Sequence, residues 1–336
     1  MIEERHIGLA HGNGGRFMRA LIEEIFARHL ANPDLDVGVD AAPFELPADA
    51  TPFVTTDGFT VQPLEFPGGD IGSLAVNGTV NDLAVSGAVP LYLTLGVIIE
   101  EGLEVAVLDR IVSSLAEAAR VAGVRIIAGD TKVVPRGQGG GLYLTTTGVG
   151  ARPTNRAFGP GLIRPGDRLL VSGPVGDHGI AVMLARQAFD LSGTVQSDCA
   201  AVTPLVAAIA DLPGVRFMRD PTRGGLATVA HEIAAATGLD VRLSEVAVPV
   251  QDAVRSVCNM LGYDPYYLAC EGRVVAVVAP EDADCVLGRW KDLPDGSGAS
   301  IIGSVAEGKA RVILETEIGG ERMLEELEDD PLPRIC

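Results

Sequence analysis

The sequence predicts an α+β fold in two domains, and three observations predict it. The chain has 336 residues, more than the ~250 to 300 at which a single hydrophobic core stops growing. Short apolar runs typical of strands alternate with stretches of helical periodicity. A segment dense in proline and glycine, ARPTNRAFGPGLIRPGD at 151–167, interrupts this pattern and indicates a linker. We therefore expect a first domain at 1–150, a second at 151–310 and a C-terminal tail at 311–336.

In the first predicted domain, strands and helices alternate. The runs TPFVTT, LYLTLGVIIE, VRIIAGDT and GLYLTTTGVG predict strands at 51–56, 91–100, 124–131 and 141–150. Apolar residues recur every three or four positions at 71–88, at 105–123 and in RFMRALIEEIFARHL, which predicts helices there.

The second predicted domain begins with the strand DRLLVSG. Helices are expected at 178–189 and 225–238, and strands at 273–280 and 300–305. After residue 310 the sequence predicts a short hydrophobic stretch, an acidic helix-like run and an extended tail.

Composition excludes several classes of function. The net charge of −19 opposes binding to a nucleic-acid backbone, which attracts clustered lysine and arginine. No stretch reaches the ~18 consecutive apolar residues of a membrane span, and MIEERHIGLA is not a secretory leader. The cysteines are too few and too dispersed for a disulfide framework or a CxxC zinc site. These features predict a soluble, cytoplasmic protein.

Three aspartates stand where predicted strands or helices meet turns. They are Asp57 in FVTTDGFTV, Asp82 in VNDLA and Asp130 in IIAGDTKVV. Magnesium favours a few carboxylates together with phosphate oxygens and water, so acids from separate segments suit a nucleotide-bridging site. Each aspartate taken alone also fits a turn former.

The segment HGNGG precedes the first predicted helix. A glycine-rich turn there would present free backbone N–H groups to a phosphate, although a flexible turn with a helix start explains it equally. No GxxxxGK[ST] is present, so any ATP site is not a P-loop.

Two motifs of the second domain join predicted strands to helices. GPVGDHG spans 173–179, and RDPTRGGLA at 219–227 contains Asp220. Both also fit ordinary strand-to-helix turns. No role follows from the sequence for His178 or Arg223.

Lysine and glutamate supply two further candidates. Lys132 follows Asp130 by two positions, so on an extended segment both side chains share one face and can meet one phosphate. Glu271 opens the apolar run of LACEGRVVAVV, where a carboxylate is usually solvated but serves as a base if buried in a site.

The chain ends in PLPRIC, with a thiol on the terminal residue, Cys336. The acidic, proline-containing stretch before it predicts an extended arm, whose roughly 12 residues reach about 40 Å. An incidental cysteine on a frayed end is the alternative interpretation.

In order along the chain, HGNGG, TTDGFTV, VNDLA, GDTKVV, GDHG, DPTRGG and PRIC resemble motifs of the PurM-like (AIR synthetase) superfamily of ATP-dependent enzymes. The terminal PRIC is similar to that of its carbamoyl dehydratases, which act in nickel-iron hydrogenase maturation. This resemblance implies ATP-dependent dehydration of a carbamoyl group on Cys336 to S-cyanide. It also implies two α+β domains, the first supplying a strand layer to a homodimer whose interface helps shape the ATP cleft.

The resemblance further implies a role for each candidate residue. ATP and Mg²⁺ would be held by the carboxylates of Asp57, Asp82, Asp130 and Asp220, with Asn81 and the loop residues His11, Gly12, Asn13, Gly14 and Gly15 around them. Lys132 would stabilise developing charge, Glu271 is the candidate base, and Cys336 carries the substrate.

The implied partners are the carbamoyltransferase HypF, which supplies the carbamoyl group, and the HypC–HypD complex, which receives the cyanide. Two alternatives remain. One is a PurM-like enzyme acting on a free substrate, such as a selenophosphate synthetase or a thiamine-phosphate kinase relative; the former would place a reactive cysteine near the N-terminus, and residues 1–50 contain none. The other is a non-catalytic scaffold whose tail docks partners.

Overall fold

The structure, a computed structural model, describes residues 4–186 and 193–328. These residues divide into two compact units, of which the first ends at Thr154 and the second begins at Asn155, with Ala84–Gly87 grouped with the second. Each unit combines helices with a sheet, which confirms the predicted α+β class. Among the described residues, no helix is both long enough and apolar enough to cross a bilayer.

The first unit begins with helical elements and continues as alternating strands and helices. In chain order these are a 3-10 turn (Leu9–Gly12), α1 (Arg16–Leu21), a π-helical continuation (Ile22–Ala27), α2 (Arg28–Leu30), β1 (Ala50–Phe59), β2 (Glu65–Phe66), β3 (Gly69–Asp70), α3 (Ile71–Val85), β4 (Val89–Glu100), α4 (Val105–Ala122), β5 (Arg125–Val134) and β6 (Leu142–Pro153).

The main sheet of the first unit has the order β1-β6-β4-β5, with β4 and β5 parallel and the other pairs antiparallel. Helix α3 packs against one face of this sheet, and glycines of the helix lie at its closest contacts. A Cβ on Gly78 would lie 2.9 Å from the Phe59 ring, and one on Gly72 would lie 2.4 Å from the Ile111 carbonyl of α4. Glycine therefore allows α3 to approach both the sheet and α4.

Much of the opposite face of this sheet is open to solvent in the described chain, although Phe44 packs against Tyr92 on it. We define the open face by five exposed residues whose side chains share it: Val54, Thr56, Ile98, Asp130 and Lys132. Val54 is 72% exposed and Ile98 is 41% exposed, which is unusual for aliphatic side chains in the middle of strands.

The second unit contains more elements than the periodicity predicts. They are β7 (Arg168–Val171), α5 (Asp177–Ala185), α6 (Thr203–Ile209), β8 (Val215–Arg219), α7 (Gly225–Thr237), β9 (Asp240–Ser244), α8 (Asp252–Leu261), β10 (Val275–Val278), α9 (Pro280–Lys291), β11 (Ser300–Ala306), β12 (Val312–Glu315) and β13 (Glu321–Met323), with short 3-10 turns between some of them.

These strands form a sheet in the order β13-β12-β9-β11-β7-β10-β8. Strand β10 is buried along its whole length, because residues on its two faces enter separate apolar clusters. This explains why its sequence is a continuous valine-rich run rather than an alternating one.

The predicted acidic helix-like run after residue 310 is wrong within the described residues. Val312–Glu315 pairs with β9, and Glu321–Met323 pairs with β12, so part of the stretch that we assigned to the tail belongs to the second sheet. The acidic side chains Glu315 and Glu321 both accept hydrogen bonds from Arg242 of β9, which stabilises the strand pairing. Cys336 lies outside the described residues.

Candidate functional site

The glycine-rich loop of the first unit lies directly on β5. A Cβ on Gly12 would be 2.9 Å from the backbone nitrogen and the Cβ of Val133, so only glycine permits this contact. Gly14 has φ +75°, and a Cβ on Gly14 or Gly15 would meet nothing within 4 Å. Gly15 is the N-cap of α1. The loop therefore combines open space with a helix start, the setting in which backbone N–H groups bind anions.

His11 places an unsatisfied polar atom in this loop. Its ring is only 3% exposed, and the Gly8 N–H donates a hydrogen bond of 3.1 Å to Nδ1. Nε2 is buried and has no hydrogen-bond partner among the described residues. A buried polar atom of this kind usually has a partner, so a bound group at this loop is compatible with the geometry.

Asp130 and Lys132 form an ion pair on β5, 2.8 Å apart, which confirms that they share one face of an extended segment. Both side chains are exposed, at 67% and 63%, so the pair contributes little to stability. The hydrogen bond from Lys132 lowers the pKa of the Asp130 carboxyl. The carboxylate thus stays charged, and both groups are accessible to a ligand.

Asp57 belongs to β1, and Asn81 and Asp82 belong to α3. Asp82 is half-buried and accepts a hydrogen bond of 2.7 Å from the Thr55 hydroxyl of β1. Asn81 is 1% exposed. Alternation along β1 places Asp57 on the same face as Thr55, next to α3.

Strand register separates Asp57 from Asp130. Asp57 pairs with Thr146, Thr146 pairs with Leu95, and Leu95 pairs with Gly129. Residues in register share a face, so Asp57 lies on the helix-covered face and Asp130 on the open face, about 14 Å away across three strand spacings. Within residues 4–186 and 193–328, no three acidic, histidine or cysteine residues are grouped closely enough to hold a metal ion.

In the second unit, three sequence motifs meet at Cys270. The N–H of Gly176, in GDHG, approaches the Cys270 sulfur to 3.2 Å. The Cys270 N–H donates to the Pro221 carbonyl of DPTRGG at 3.0 Å, and the Gly179 N–H donates to the Ala269 carbonyl at 3.2 Å. The segment that carries Glu271 is therefore held by both GDHG and DPTRGG.

The glycines of DPTRGG are required by this convergence. Gly224 and Gly225 have φ values of +68° and +59°. A Cβ on Gly225 would lie 2.5 Å from the Leu268 carbonyl oxygen and 2.7 Å from that of Tyr266. The backbone just after Asp220 and just after Arg223 thus packs against 266–270, and Asp220 itself is 5% exposed.

Glu271 and His178 are both buried in this region. Glu271 is 4% exposed and His178 is fully buried, and Nδ1 of His178 lies 2.8 Å from the Ser197 hydroxyl. A carboxylate at a strand edge is usually solvated, whereas Glu271 is buried. Its burial fits the alternative of a base inside a site.

A buried charged network next to Glu271 was not predicted from the sequence. Arg273 lies 3.5 Å from both Asp177 and Asp198, and Gln251 donates a hydrogen bond of 2.6 Å to Asp177. The side chains of both aspartates are at most 2% exposed. The available signal was Arg273 itself, a charge at the start of a fully buried strand, where an unpaired guanidinium would be costly.

Burial of Asp177, together with the charge of Asp198, raises the pKa of Asp177 to about 6. Because this folded pKa exceeds the unfolded value, the contribution to stability is complete below about pH 4 and is lost as the pH rises through about 6. The loss is at most about 3 kcal/mol.

We expect Asp177→Asn, which is neutral at every pH, to remove this pH dependence. The melting temperature of the variant relative to the native protein should rise between pH 4.5 and 7.5 in thermal denaturation. A constant difference over that range would show that Asp177 does not titrate there.

Comparison with known proteins matches most of the chain. Residues 38–151 match the N-terminal domain of AIR synthase related proteins, and residues 164–315 match their C-terminal domain. The carbamoyl dehydratase HypE of Azotobacter vinelandii is 47% identical over 332 residues, covering 98% of this chain and 97% of that protein.

Solved structures agree with the sequence comparison. A crystal structure of the hydrogenase maturation protein HypE in complex with ATP is 43% identical, covers 98% of this chain and 99% of its own, and has a TM-score of 0.93. The structure of a HypE–HypF complex contains a chain 42% identical, covering 92% of this chain and 100% of its own, with a TM-score of 0.80.

Proposed function

We infer the function of this chain from its family. The chain belongs to the HypE carbamoyl dehydratases, which are AIR synthase related proteins. It is an ATP-dependent enzyme of hydrogenase maturation that dehydrates a protein-bound S-carbamoyl group to S-cyanide. The observation that carries this function is the match along nearly the whole chain. The roles of individual residues in this reaction are our assignment.

The chemistry requires ATP because a carboxamide oxygen is a very poor leaving group. In the first step the carboxamide oxygen attacks the γ-phosphorus, ADP leaves, and one N–H proton is lost, which gives an S-bound iminophosphate. In the second step the remaining N–H proton is removed, the C–O bond breaks, and phosphate leaves with the carboxamide oxygen. The products are S-cyanide, ADP and phosphate, and the two steps need charge stabilisation and a base.

Three residues of this chain supply those requirements in our proposal. Cys336 carries the carbamoyl group. Lys132, which is exposed beside Asp130, binds the oxygens of the transferring phosphate. Glu271, which is buried where three motifs meet, accepts a proton from the carboxamide nitrogen.

The nucleotide is assigned to the glycine-rich loop and the carboxylates. His11, Gly12, Asn13, Gly14 and Gly15 offer open space and backbone N–H groups to the phosphates, and Asn81 and Asp220 complete the proposed set.

Oxygen donors of the type present here fit Mg²⁺, which is commonly bound through one or two carboxylates together with substrate phosphates and water. Asp57, Asp82, Asp130 and Asp220 are the carboxylates that we assign to Mg²⁺. Asp57 and Asp130 lie on opposite faces of the sheet and cannot share one ion, so they would hold separate ions, each of which would neutralise phosphate charge. Because no three of the described acids are clustered, we expect the metal to bind with ATP rather than alone.

Asparagine at position 57, 82 or 130 is expected to weaken ATP binding by about tenfold or more in the presence of Mg²⁺, because each change removes a charged oxygen ligand. With a chelator present, the variants and the native protein should bind ATP equally weakly in titration calorimetry. Asp109→Asn, which removes an exposed carboxylate near Arg28, is the control. Native affinity in all three variants would contradict the metal assignment.

An oxygen-label experiment tests the proposed reaction. If the carbamoylated tail carries ¹⁸O in its carbonyl, the phosphate that is released should carry that label, since the carboxamide oxygen leaves with the phosphoryl group. Unlabelled phosphate would mean that ATP is hydrolysed by water, and the iminophosphate route would be wrong.

We also propose a homodimer that is formed through the open face of the first sheet. Val54 and Ile98 expose apolar surface in this face, and a second copy would cover it. Ile98→Asp should give a monomer in sedimentation velocity, whereas Val246→Asp, at a 72% exposed site in the second unit, should not. A dimeric Ile98→Asp protein would exclude this face.

The proposed partners follow from the same family. HypF, which is bound to a relative of this chain in the solved HypE–HypF complex, would load the carbamoyl group onto Cys336, and the HypC–HypD complex would accept the cyanide. The proposed compartment is the cytoplasm.

A further inference from the structure

We propose that Asp198 is a positioning residue that holds Glu271 in place for proton transfer. This inference rests on the proposed function, in which Glu271 is the base. Asp198 lies outside every motif that the sequence analysis identified.

The side chain of Asp198 binds the backbone on which Glu271 stands. Its Oδ1 accepts a hydrogen bond of 3.1 Å from the Glu271 N–H, and its Oδ2 accepts one of 3.2 Å from the Gly272 N–H. The carboxylate is fully buried. Two consecutive N–H groups bound by one carboxylate fix the peptide planes on both sides of the Glu271 side chain, and the charged acceptor makes both bonds strong.

The two segments also touch through their backbones. The Ala200 N–H donates to the Glu271 carbonyl at 3.4 Å. A Cβ on Gly272 would lie only 1.9 Å from the Asp198 carbonyl oxygen, so glycine is required there. Residues 197–200 belong to no helix or strand, and these contacts therefore determine where the segment lies.

We call the two hydrogen bonds from the Glu271 and Gly272 N–H groups to Asp198 the clamp. Arg273 connects this clamp to the GDHG motif. Its Nε lies 3.5 Å from Asp198 and donates a hydrogen bond of 2.9 Å to the Pro174 carbonyl, and its Nη2 lies 3.5 Å from Asp177. The guanidinium thus offsets the burial of the Asp198 charge. It also connects the clamp to the N-terminal end of α5.

Proton transfer is sensitive to the position of the base. A displacement of about 1 Å can cost about 100-fold in rate. Asparagine at position 198 keeps one oxygen acceptor but places an N–H₂ group against a backbone N–H. We expect Asp198→Asn to slow dehydration by ~10 to 100-fold and to leave ATP affinity unchanged.

Asp240 provides a matched control in the same unit. Its Oδ1 accepts hydrogen bonds from the N–H groups of Lys309 and Arg311, at 2.7 and 3.0 Å, and its carboxylate also pairs with the Arg311 guanidinium. Its side chain is 3% exposed. Asp240→Asn therefore removes an equivalent clamp that does not hold Glu271, and it should lower stability while leaving the dehydration rate near the native value.

A double-mutant cycle on the full chain, loaded with a carbamoyl group, tests the inference. If Asp198 acts through Glu271, Asp198→Asn should slow the native enzyme but cause no further slowing in a Glu271→Gln background. Hydrogen exchange of the Glu271 and Gly272 amides should accelerate in Asp198→Asn and not in Asp240→Asn. Equal slowing in both backgrounds, or unchanged exchange, would overturn the positioning role.

The outcomes separate this inference from the proposed function. A native rate in Glu271→Gln would reject the base assignment, whereas a slow Glu271→Gln with a fast Asp198→Asn would reject the positioning role alone. If Asp198→Asn does not fold, Asp198→Glu takes its place, since it retains the buried charge beside Arg273 while its longer side chain shifts the carboxylate away from the two amide groups. A folded Asp198→Glu protein with the native rate would also overturn the inference.

Discussion

Replacement of Cys336 by alanine is expected to abolish S-cyanide formation and to leave ATP binding unchanged. The thiol bears the substrate, so no neighbouring group can replace it as a positioning group might be replaced. Mass spectrometry of the C-terminal peptide measures the result. The native peptide should gain a carbamoyl group from the donor system and then, with ATP, lose one water, while the variant peptide should show neither change.

The internal cysteines provide the controls for this experiment. Burial raises the pKa of Cys258 to about 11 and that of Cys270 well above its ordinary value, so neither is a ready nucleophile. Cys285 is exposed and is therefore the informative comparison, since access alone does not make it the carrier. Cys285→Ala should be carbamoylated and cyanated at native levels. Carbamoylation of a different cysteine, or an unchanged mass sequence in Cys336→Ala, would refute the carrier role.

Local sequence patterns were sufficient for much of the first unit. The apolar runs TPFVTT and VRIIAGDT predicted β1 and β5, and helical periodicity predicted α3 and α4. The side-chain alternation of an extended segment also placed Lys132 beside Asp130. These features depend on neighbours within a few residues, which is why the sequence alone contains them.

The arrangement of the acidic residues required the structure. Asp57 and Asp130 lie on strands that are separated by two others, and their faces depend on register between segments distant in the sequence. No local pattern encodes that register. The same limit explains why β13 was not predicted. Its acidic sequence locally favours a helix, but in the fold it pairs with β12 as an edge strand.

The clamp around Glu271 could not be predicted for a related reason. Asp198 lies in a segment without periodicity, 73 positions before Glu271, and a single aspartate there is compatible with any exposed loop. Only the fold brings its carboxylate to the Glu271 N–H.

Replacement of Glu271 by glutamine is expected to slow dehydration by roughly 10² to 10⁴-fold, the usual contribution of a positioned base. Glutamine has nearly the same shape, and the Glu271 backbone N–H that binds Asp198 is retained, so the fold should be preserved. The amide side chain cannot accept the proton from the carboxamide nitrogen. Single-turnover dehydration of the carbamoylated protein measures the rate, and ATP affinity should remain native.

The pH dependence distinguishes loss of a base from a general loss of activity. Since a base must be deprotonated to accept a proton, the single-turnover rate of the native protein should increase with pH, whereas the slow residual rate of Glu271→Gln should lack that increase. Glu232→Gln, which removes a carboxylate 43% exposed beside Arg219, should retain both the native rate and the native profile. A Glu271→Gln protein that is slow but keeps the native pH profile would assign the base to another group, because the group that titrates would still be present.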